Sequence, residues 1–176
     1  MNSIEANRGA VFVGTSHNTP AFAVDAIAQW WLKEGCQRYP ATRELFILAD
    51  AGGSNGPRCR VWRKAIQDTI CTPLGLIVTV SHYPPGASKW NPIEHRLFSE
   101  ISKNWAGEPL TDIDKILKFI RTTKTESGLT VNAYLIPENY DTGIKISDAE
   151  MRQLNLVPHD VFGGWNYTVS PNRNVN

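Results

Sequence analysis

The sequence predicts an α/β domain with a sheet that is at least partly parallel, and three observations support this. Two nearly continuous apolar runs, at residues 44–50 and 74–80, have the length and composition of strands. Segments with apolar residues at helical spacing alternate with these runs along the chain. The chain has 176 residues, 41% of them hydrophobic, which suffices for one sizeable core. We therefore predict a single domain over residues 1–176.

The first half of the chain reads as strand, helix, strand. AVFVG at residues 10–14 is short, apolar and partly β-branched, as strands are. A helix is expected from Pro20, which suits a first turn, to Gly35, which can end a helix. ELFILAD at residues 44–50 is apolar until its final acid, a pattern typical of a strand buried on both faces.

The following elements continue the alternation. AGGSNGP at residues 51–57 predicts a turn, residues 58–69 a helix and residues 74–80 a second buried strand. A further helix is expected after Asn91, with Ile93, Leu97, Ile101 and Trp105 on its buried face.

The last third of the chain predicts three more elements and ends in an aromatic stretch, GGWNYTV. We expect a helix over residues 111–125 and a strand around residues 128–136. Ser147 and Glu150 have the spacing of a capping box, which predicts that a short helix begins there.

Composition excludes several classes of function. The net charge is +1, so the molecule as a whole does not attract nucleic acid or membranes, and any DNA contact must come from local patches. No segment has the length of a membrane span, and no secretion signal is present. Three cysteines without ligand spacing argue against a zinc site and a disulfide framework, so we expect a cytoplasmic protein.

The glycine-rich turn does not predict a nucleotide cofactor. It lacks the G-x-G-x-x-G spacing of dinucleotide-binding proteins and the Gly-Lys-Ser/Thr of phosphate-binding loops. A local basic cluster follows it, formed by Arg58, Arg60, Arg63 and Lys64. These residues are candidates for phosphate contacts, although a solvated helix face is the commoner explanation.

Two acids, Asp50 and Glu94, are candidates for metal binding. Asp50 closes a predicted strand, where ligands gather in α/β sheets, and Glu94 lies in the first turn of a predicted helix. Two carboxylates can share a magnesium ion. The alternative is structural, because a turn Asp is common and Glu94 follows Asn91 at capping-box spacing. We expect Trp62 and Trp90 to pack in the core.

Four motifs carry a resemblance to a known family. LADAGGSNG, the long SHYPPGASKWNPIEHRLFSEISKNWAGEPL, GLTVNAYL and GGWNYTVSP resemble the DDE transposases of the Rhodopirellula-type family, and the likeness runs over essentially the whole chain. It implies an RNase H-like catalytic domain, a mixed sheet flanked by helices, that cuts and joins DNA with two divalent ions, Mg²⁺ or Mn²⁺. By position, Asp50 matches the second acid and Glu94 the third.

The resemblance also implies partners. One partner is DNA, at transposon ends and targets, with Lys89, Arg58, Arg60 and Arg63 as the contacting residues. The other is a second copy of the chain in a homo-oligomer. The setting would be the bacterial nucleoid.

One acid of the family pattern has no match. The first acid lies on the family's first strand, before the segment that matches AVFVG, and neither Glu5 nor Asp25 occupies its place. We therefore expect an N-terminally truncated catalytic domain that is inactive alone, poorly soluble or self-associating through an unpaired sheet edge. The alternative function is a non-catalytic remnant that only binds DNA or a transposase partner.

Overall fold

A computed structural model describes residues 2–3, 7–84, 86–87, 90 and 93–172, with side chains for all of these except residues 2, 3, 94 and 95. The strands are β1 (Asn2–Ser3), β2 (Arg8–Gly14), β3 (Glu44–Ala49), β4 (Ile77–His82), β5 (Thr130–Ile136), β6 (Leu156–Pro158) and β7 (Asn166–Val169).

Several helices contain a π-helical stretch. The α-helices are α1 (Pro20–Trp30), α2 (Cys36–Arg38), α3 (Arg60–Ala65), α4 (Thr72–Leu74), α5 (Ser99–Asn104), α6 (Ile113–Thr122) and α7 (Asp148–Arg152). π-Helical segments at Trp31–Gly35, Ile66–Cys71 and Glu94–Phe98 join α1 to α2, join α3 to α4, and precede α5.

The chain divides into two compact units. Residues 1–16 and 86–138 form the first unit, and residues 17–85 and 139–176 form the second. The prediction of a single domain over residues 1–176 stays a prediction.

The first unit is built on a three-stranded sheet in the order β1, β2, β5. β2 and β5 are parallel, with Arg8 beside Thr130 at one end and Gly14 beside Ile136 at the other. Leu97 and Ile101 are buried with residues of α6 and β5 in one apolar cluster. Gly9 allows this close packing, because a Cβ atom there would lie 2.6 Å from Cδ1 of Leu97.

The second unit contains a mixed sheet in the order β3, β4, β7, β6. β3 and β4 are parallel, while β7 is antiparallel to both of its neighbours, β4 and β6. The π-helical segment Ile66–Cys71 packs against β4 and β7, and α1 packs against α3 and against that segment. Residues on the covered face, Val78, Val80, Tyr167 and Val169, have no exposed surface.

Three predictions about burial and helix ends were wrong. β3 is not buried on both faces, because Phe46 is 62% and Leu48 45% exposed. Gly35 does not end the first helix; it has right-handed helical angles, and the helix continues to Arg38. Trp90 is 69% exposed rather than packed in the core.

Other predictions of local structure were confirmed. Leu97 and Ile101 are buried, and Ile93 and Trp105 pack against their cluster, so these four residues do share an inward face. The capping box at Ser147 is present with both of its reciprocal hydrogen bonds to Glu150. None of the helices in the described ranges is long and apolar enough to cross a membrane.

Candidate functional site

Asp50 is the first residue after β3 and is exposed to solvent. The backbone N–H of Tyr83 donates to the carbonyl of Ala49 at 2.8 Å, which continues the pairing of β3 and β4 to this end of the sheet. In the part of the chain that the structure describes, the Asp50 carboxylate has no hydrogen bond or ion pair. It is therefore an oxygen ligand whose lone pairs are available.

The loop after Asp50 is short and held at several points. It contains a single 3₁₀ turn, Gly53–Asn55, in which Gly53 has φ of +65°, a conformation that favours glycine. Ser54 donates from its hydroxyl to Oδ1 of Asn18 at 3.2 Å. The N–H of Cys59 donates to the carbonyl of Gly56 at 2.9 Å and leads the chain into α3.

His82 ends β4 and connects this loop to a second turn of the chain. Its Nε2 lies 2.8 Å from the carbonyl oxygen of Asn55, and its Nδ1 lies 2.7 Å from the carbonyl oxygen of Trp165. Only 7% of His82 is exposed, so both contacts are shielded from water. The residue thus joins the end of the loop to the turn that precedes β7.

Arg63 connects the same two segments from α3. Its Nη2 donates to the carbonyl of Pro57 at 2.6 Å and to that of Gly164 at 3.1 Å, and its guanidinium carbon lies 4.7 Å from the ring centre of Tyr167. Its buried Nε has no hydrogen-bond partner in the described residues. Arg63 and His82 therefore bind four carbonyl groups of two loops that are far apart in the sequence.

Trp62 and Tyr167 form a buried pair, and the Tyr167 ring lies next to both Arg63 and His82. Trp62 is 1% exposed, as predicted for a core residue, and its indole N–H donates to the Tyr167 hydroxyl at 2.9 Å. Burial raises the pKa of Tyr167 to about 12, although the nearby Arg63 charge lowers it. Burial likewise raises the pKa of Cys71 to about 12, against a smaller lowering by a backbone hydrogen bond from Val78.

The other basic residues predicted to bind phosphate differ in their surroundings. Arg60 forms an ion pair with Asp148 at 2.6 Å and donates to the Ile146 carbonyl at 3.1 Å. Lys64 pairs with Asp68 at 2.6 Å, four residues along the same helix. Arg58 is exposed and, among the described residues, has no ion pair or hydrogen bond. It has the freest guanidinium of this cluster.

Two predicted site residues cannot be described at their side chains. Glu94 is the first residue of the π-helical segment Glu94–Phe98, in the first unit, whereas Asp50 belongs to the second unit. Lys89, Asn91 and Pro92 lie outside the described residues, as do the side chains of Glu94 and His95. The pairing of Asp50 with Glu94 and the capping of this helix by Asn91 both stay predictions.

Asp50 alone fits one position of a divalent-metal site. An exposed carboxylate at the carboxyl end of a parallel strand is the hard oxygen donor that Mg²⁺ and Mn²⁺ prefer. Within the ranges that the structure describes, no group of three or more His, Cys, Asp or Glu side chains could enclose a metal ion.

The binding of both loops by His82 and Arg63 was not predicted from the sequence, in which Arg63 was considered only as a phosphate contact. Their acceptors lie 83 residues away in the case of His82 and Trp165, and 101 residues away in the case of Arg63 and Gly164. One signal was present in the sequence. The apolar run at residues 74–80 is followed by Ser81 and His82, which places a polar ring at the end of a buried strand.

Comparison with known proteins identifies the family but gives no individual relative. No curated protein and no solved structure matches the chain significantly. The profile of the Rhodopirellula transposase DDE domain family matches residues 1–171, nearly the whole chain, and the mixed α/β architecture is consistent with such a domain. The family's activity is DNA transposition. This chain belongs to the Rhodopirellula transposase DDE domain family.

Proposed function

We propose that this chain acts in DNA transposition as a metal-dependent domain that cleaves and joins phosphodiesters, with Asp50 and Glu94 as metal-binding acids. The observation that carries the proposal is the family match over residues 1–171, together with an exposed Asp50 at the carboxyl end of β3 that has no partner among the described residues. We propose further that the fold is of the RNase H type, in which such a strand end carries a catalytic acid.

The two acids have distinct tasks in this proposal. Asp50 extends from a rigid strand end, so its carboxylate is presented with little loss of conformational freedom on binding. Glu94 stands at the first turn of its helical segment, where the helix dipole favours the ionised carboxylate. A divalent ion, when bound, supplies activation of the attacking water or 3′-hydroxyl and stabilisation of the leaving oxygen.

Basic side chains would hold the DNA backbone. We propose Arg58 and Lys89 as the principal phosphate contacts, since Arg58 is exposed and free of described partners. Arg60 and Arg63 are also proposed as phosphate contacts, although each of them makes contacts within the folded chain as well. Arg60 pairs with Asp148, and Arg63 binds the carbonyls of Pro57 and Gly164.

Metal binding gives the sharpest test of the acids, since it does not require turnover. We expect Mn²⁺, followed by electron paramagnetic resonance, to bind the chain, and Asp50→Asn to weaken binding at least about tenfold. Glu94→Gln should have a similar effect. Glu126→Gln replaces an exposed acid of the first unit and is the control. Unchanged Mn²⁺ affinity in Asp50→Asn would refute the assignment of Asp50.

Salt dependence of DNA binding tests the basic residues separately from the chemistry. For duplex DNA measured by fluorescence anisotropy, Arg58→Ala should reduce the slope of log affinity against log salt by about one unit. Thermal stability should stay unchanged, because no described contact is lost. Arg60→Ala is the matched comparison. The Arg60 guanidinium is already paired with Asp148, so the salt slope should change less than in Arg58→Ala, whereas stability should fall through loss of the contacts with Asp148 and Ile146.

A second candidate function is DNA binding without catalysis. The observation that favours it is that the first acid of the family pattern has no match in the sequence, whereas the exposed Arg58 has no described partner and can contact phosphate. Mg²⁺-dependent nicking of supercoiled plasmid DNA separates the two functions. Nicking that Glu94→Gln abolishes would support the enzyme, whereas DNA binding without nicking would support the alternative.

We also propose self-association through the free edge of β3. This strand pairs only with β4 in the described sheet, and Phe46 and Leu48 on it are large, apolar and exposed. Free edges with exposed apolar side chains favour pairing with another chain.

A further inference from the structure

One side chain, His82, contacts two backbone carbonyl groups that are far apart in the sequence. Its Nδ1 lies 2.7 Å from the carbonyl oxygen of Trp165, and its Nε2 lies 2.8 Å from that of Asn55. A carbonyl oxygen can only accept a hydrogen bond, so the imidazole is the donor in this arrangement.

Packing also confines the His82 ring. It lies 6.0 Å from the Tyr167 ring of β7 between centroids, and only 7% of His82 is exposed. Ala49, the residue before Asp50, is the register partner of His82 on β3. The ring is therefore held next to the strand end from which Asp50 extends.

The position of the two carbonyls determines what the contacts do. Asn55 ends the 3₁₀ turn of the loop that begins immediately after Asp50, and Trp165 belongs to the turn before β7. That turn is itself tightly packed, since a Cβ atom on Gly163 would lie 2.6 Å from the carbonyl oxygen of His159. Through its contacts with Asn55 and Trp165, His82 therefore links the loop after Asp50 to a compact turn.

We propose that His82 is the positioning residue of the loop that begins at Asp50. By contacting the carbonyl groups of Asn55 and Trp165 at once, it fixes where the chain goes after Asp50 and so restricts the orientation of that carboxylate. The consequence for metal binding rests on the function proposed above, whereas the ordering of the loop does not.

Matched substitutions test the positioning by hydrogen exchange. His82→Asn places a donor near the Nδ1 position and should keep the Trp165 contact, and His82→Gln places one near Nε2 and should keep the Asn55 contact. Amide exchange in residues 51–58 should rise about tenfold or more in His82→Asn, and in residues 160–166 by a similar factor in His82→Gln. His82→Phe should raise both. Equal exchange in wild type and all three variants would overturn the positioning role, and the two polar variants suffice if His82→Phe does not fold.

Mn²⁺ affinity connects the loop to Asp50 and separates the two proposals. We expect His82→Phe to weaken Mn²⁺ binding in the same direction as Asp50→Asn, by about tenfold. If Asp50→Asn weakens binding and His82→Phe does not, His82 does not position the acid. If Asp50→Asn itself has no effect, the proposed function fails, and the exchange results still decide the role of His82.

Discussion

β3 and β4 run side by side in parallel and are both rich in Leu, Ile, Val or Phe, yet their side chains have very different environments. Val78 and Val80 of β4 have no exposed surface, whereas Phe46 and Leu48 of β3 are 62% and 45% exposed. β4 has a neighbour on each side, β3 and β7, while β3 pairs only with β4 in the described sheet. The position of the strand in the sheet and the face on which a side chain lies, rather than apolar content, therefore set burial.

The two faces of this sheet also differ in their exposure to solvent. Phe46 is in register with Thr79, and Leu48 with Ser81, so these four residues share the exposed face of the sheet. On the opposite face Val80, Tyr167 and their neighbours are covered. The exposed face is polar in its centre, where Thr79 and Thr168 hydrogen-bond at 3.0 Å, and apolar at β3.

A buried charge should separate β4 from β3 most strongly. Val80→Asp would place a carboxylate without a partner in the covered face, and we expect it to lower the free energy of unfolding by about 4 kcal/mol or more. Leu48→Asp introduces the same group on β3 and should cost less than about 1 kcal/mol, because water reaches that position. Urea denaturation of both variants measures the difference. Equal losses would mean that β3 is buried in solution.

Alkaline pH should destabilise the covered face through Cys71 and Tyr167. Both groups are neutral when protonated, and their folded pKa values of about 12 exceed the ordinary values of 9.0 and 10.0. The unfolded chain therefore loses these protons first. The stabilisation is fully present below pH 9 and is lost as pH rises towards 12, by about 1.4 kcal/mol per pH unit for each ionising group.

Two variants assign that pH dependence to its groups. Cys71→Ala should flatten the decline between pH 9 and 10, where only the thiol contributes, and Tyr167→Phe should reduce the slope between pH 10 and 12. Urea denaturation at a series of pH values supplies the measurement. Cys36→Ala is the control for the first, because Cys36 is only half-buried. A decline that neither variant changes would contradict burial of both groups.

Loss of one hydroxyl on each face gives a third, smaller contrast. Tyr167→Phe leaves the buried Trp62 indole N–H without its acceptor, so the free energy of unfolding should fall by about 1–3 kcal/mol at neutral pH. Thr79→Val removes a hydroxyl from the half-exposed Thr79–Thr168 pair and should cost less than about 1 kcal/mol. Thermal unfolding of both variants tests this, and a larger loss for Thr79→Val would reverse the assignment of the faces.

The same contrast explains which parts of the fold could be predicted. The existence of β3 and β4 followed from their apolar runs, and α7 from the Ser147 capping box, because these signals are local. The edge position of β3 did not, since it depends on what pairs with it. β6 and β7 were missed because Leu156–Pro158 is only three residues long and Asn166–Val169 four. These strands form because they pair with neighbouring strands in the sheet, and a local sequence pattern does not indicate that pairing.

The candidate site divides in the same way. The place of Asp50 at the end of a strand could be predicted from the abrupt end of an apolar run. The use of Arg60 within the fold could not, because its acceptor at Ile146 is 86 residues away. The local sequence around an arginine in a basic cluster is the same whether the arginine binds phosphate or a distant backbone carbonyl.

The smallest effect on stability should come from a charge at the edge of β3, and its effect on association should be clear. Leu48→Lys adds a charge to an exposed position, so the free energy of unfolding should change by only about 0.5 kcal/mol. If β3 is the edge through which copies associate, the lysine should shift sedimentation velocity profiles towards monomer, because charged edge residues oppose strand pairing. Leu32→Lys makes the same change in a helical segment rather than at a sheet edge, at a residue that is 56% exposed, and should leave association unaltered. Equal shifts in both variants would show that net charge, and not the edge of β3, controls association.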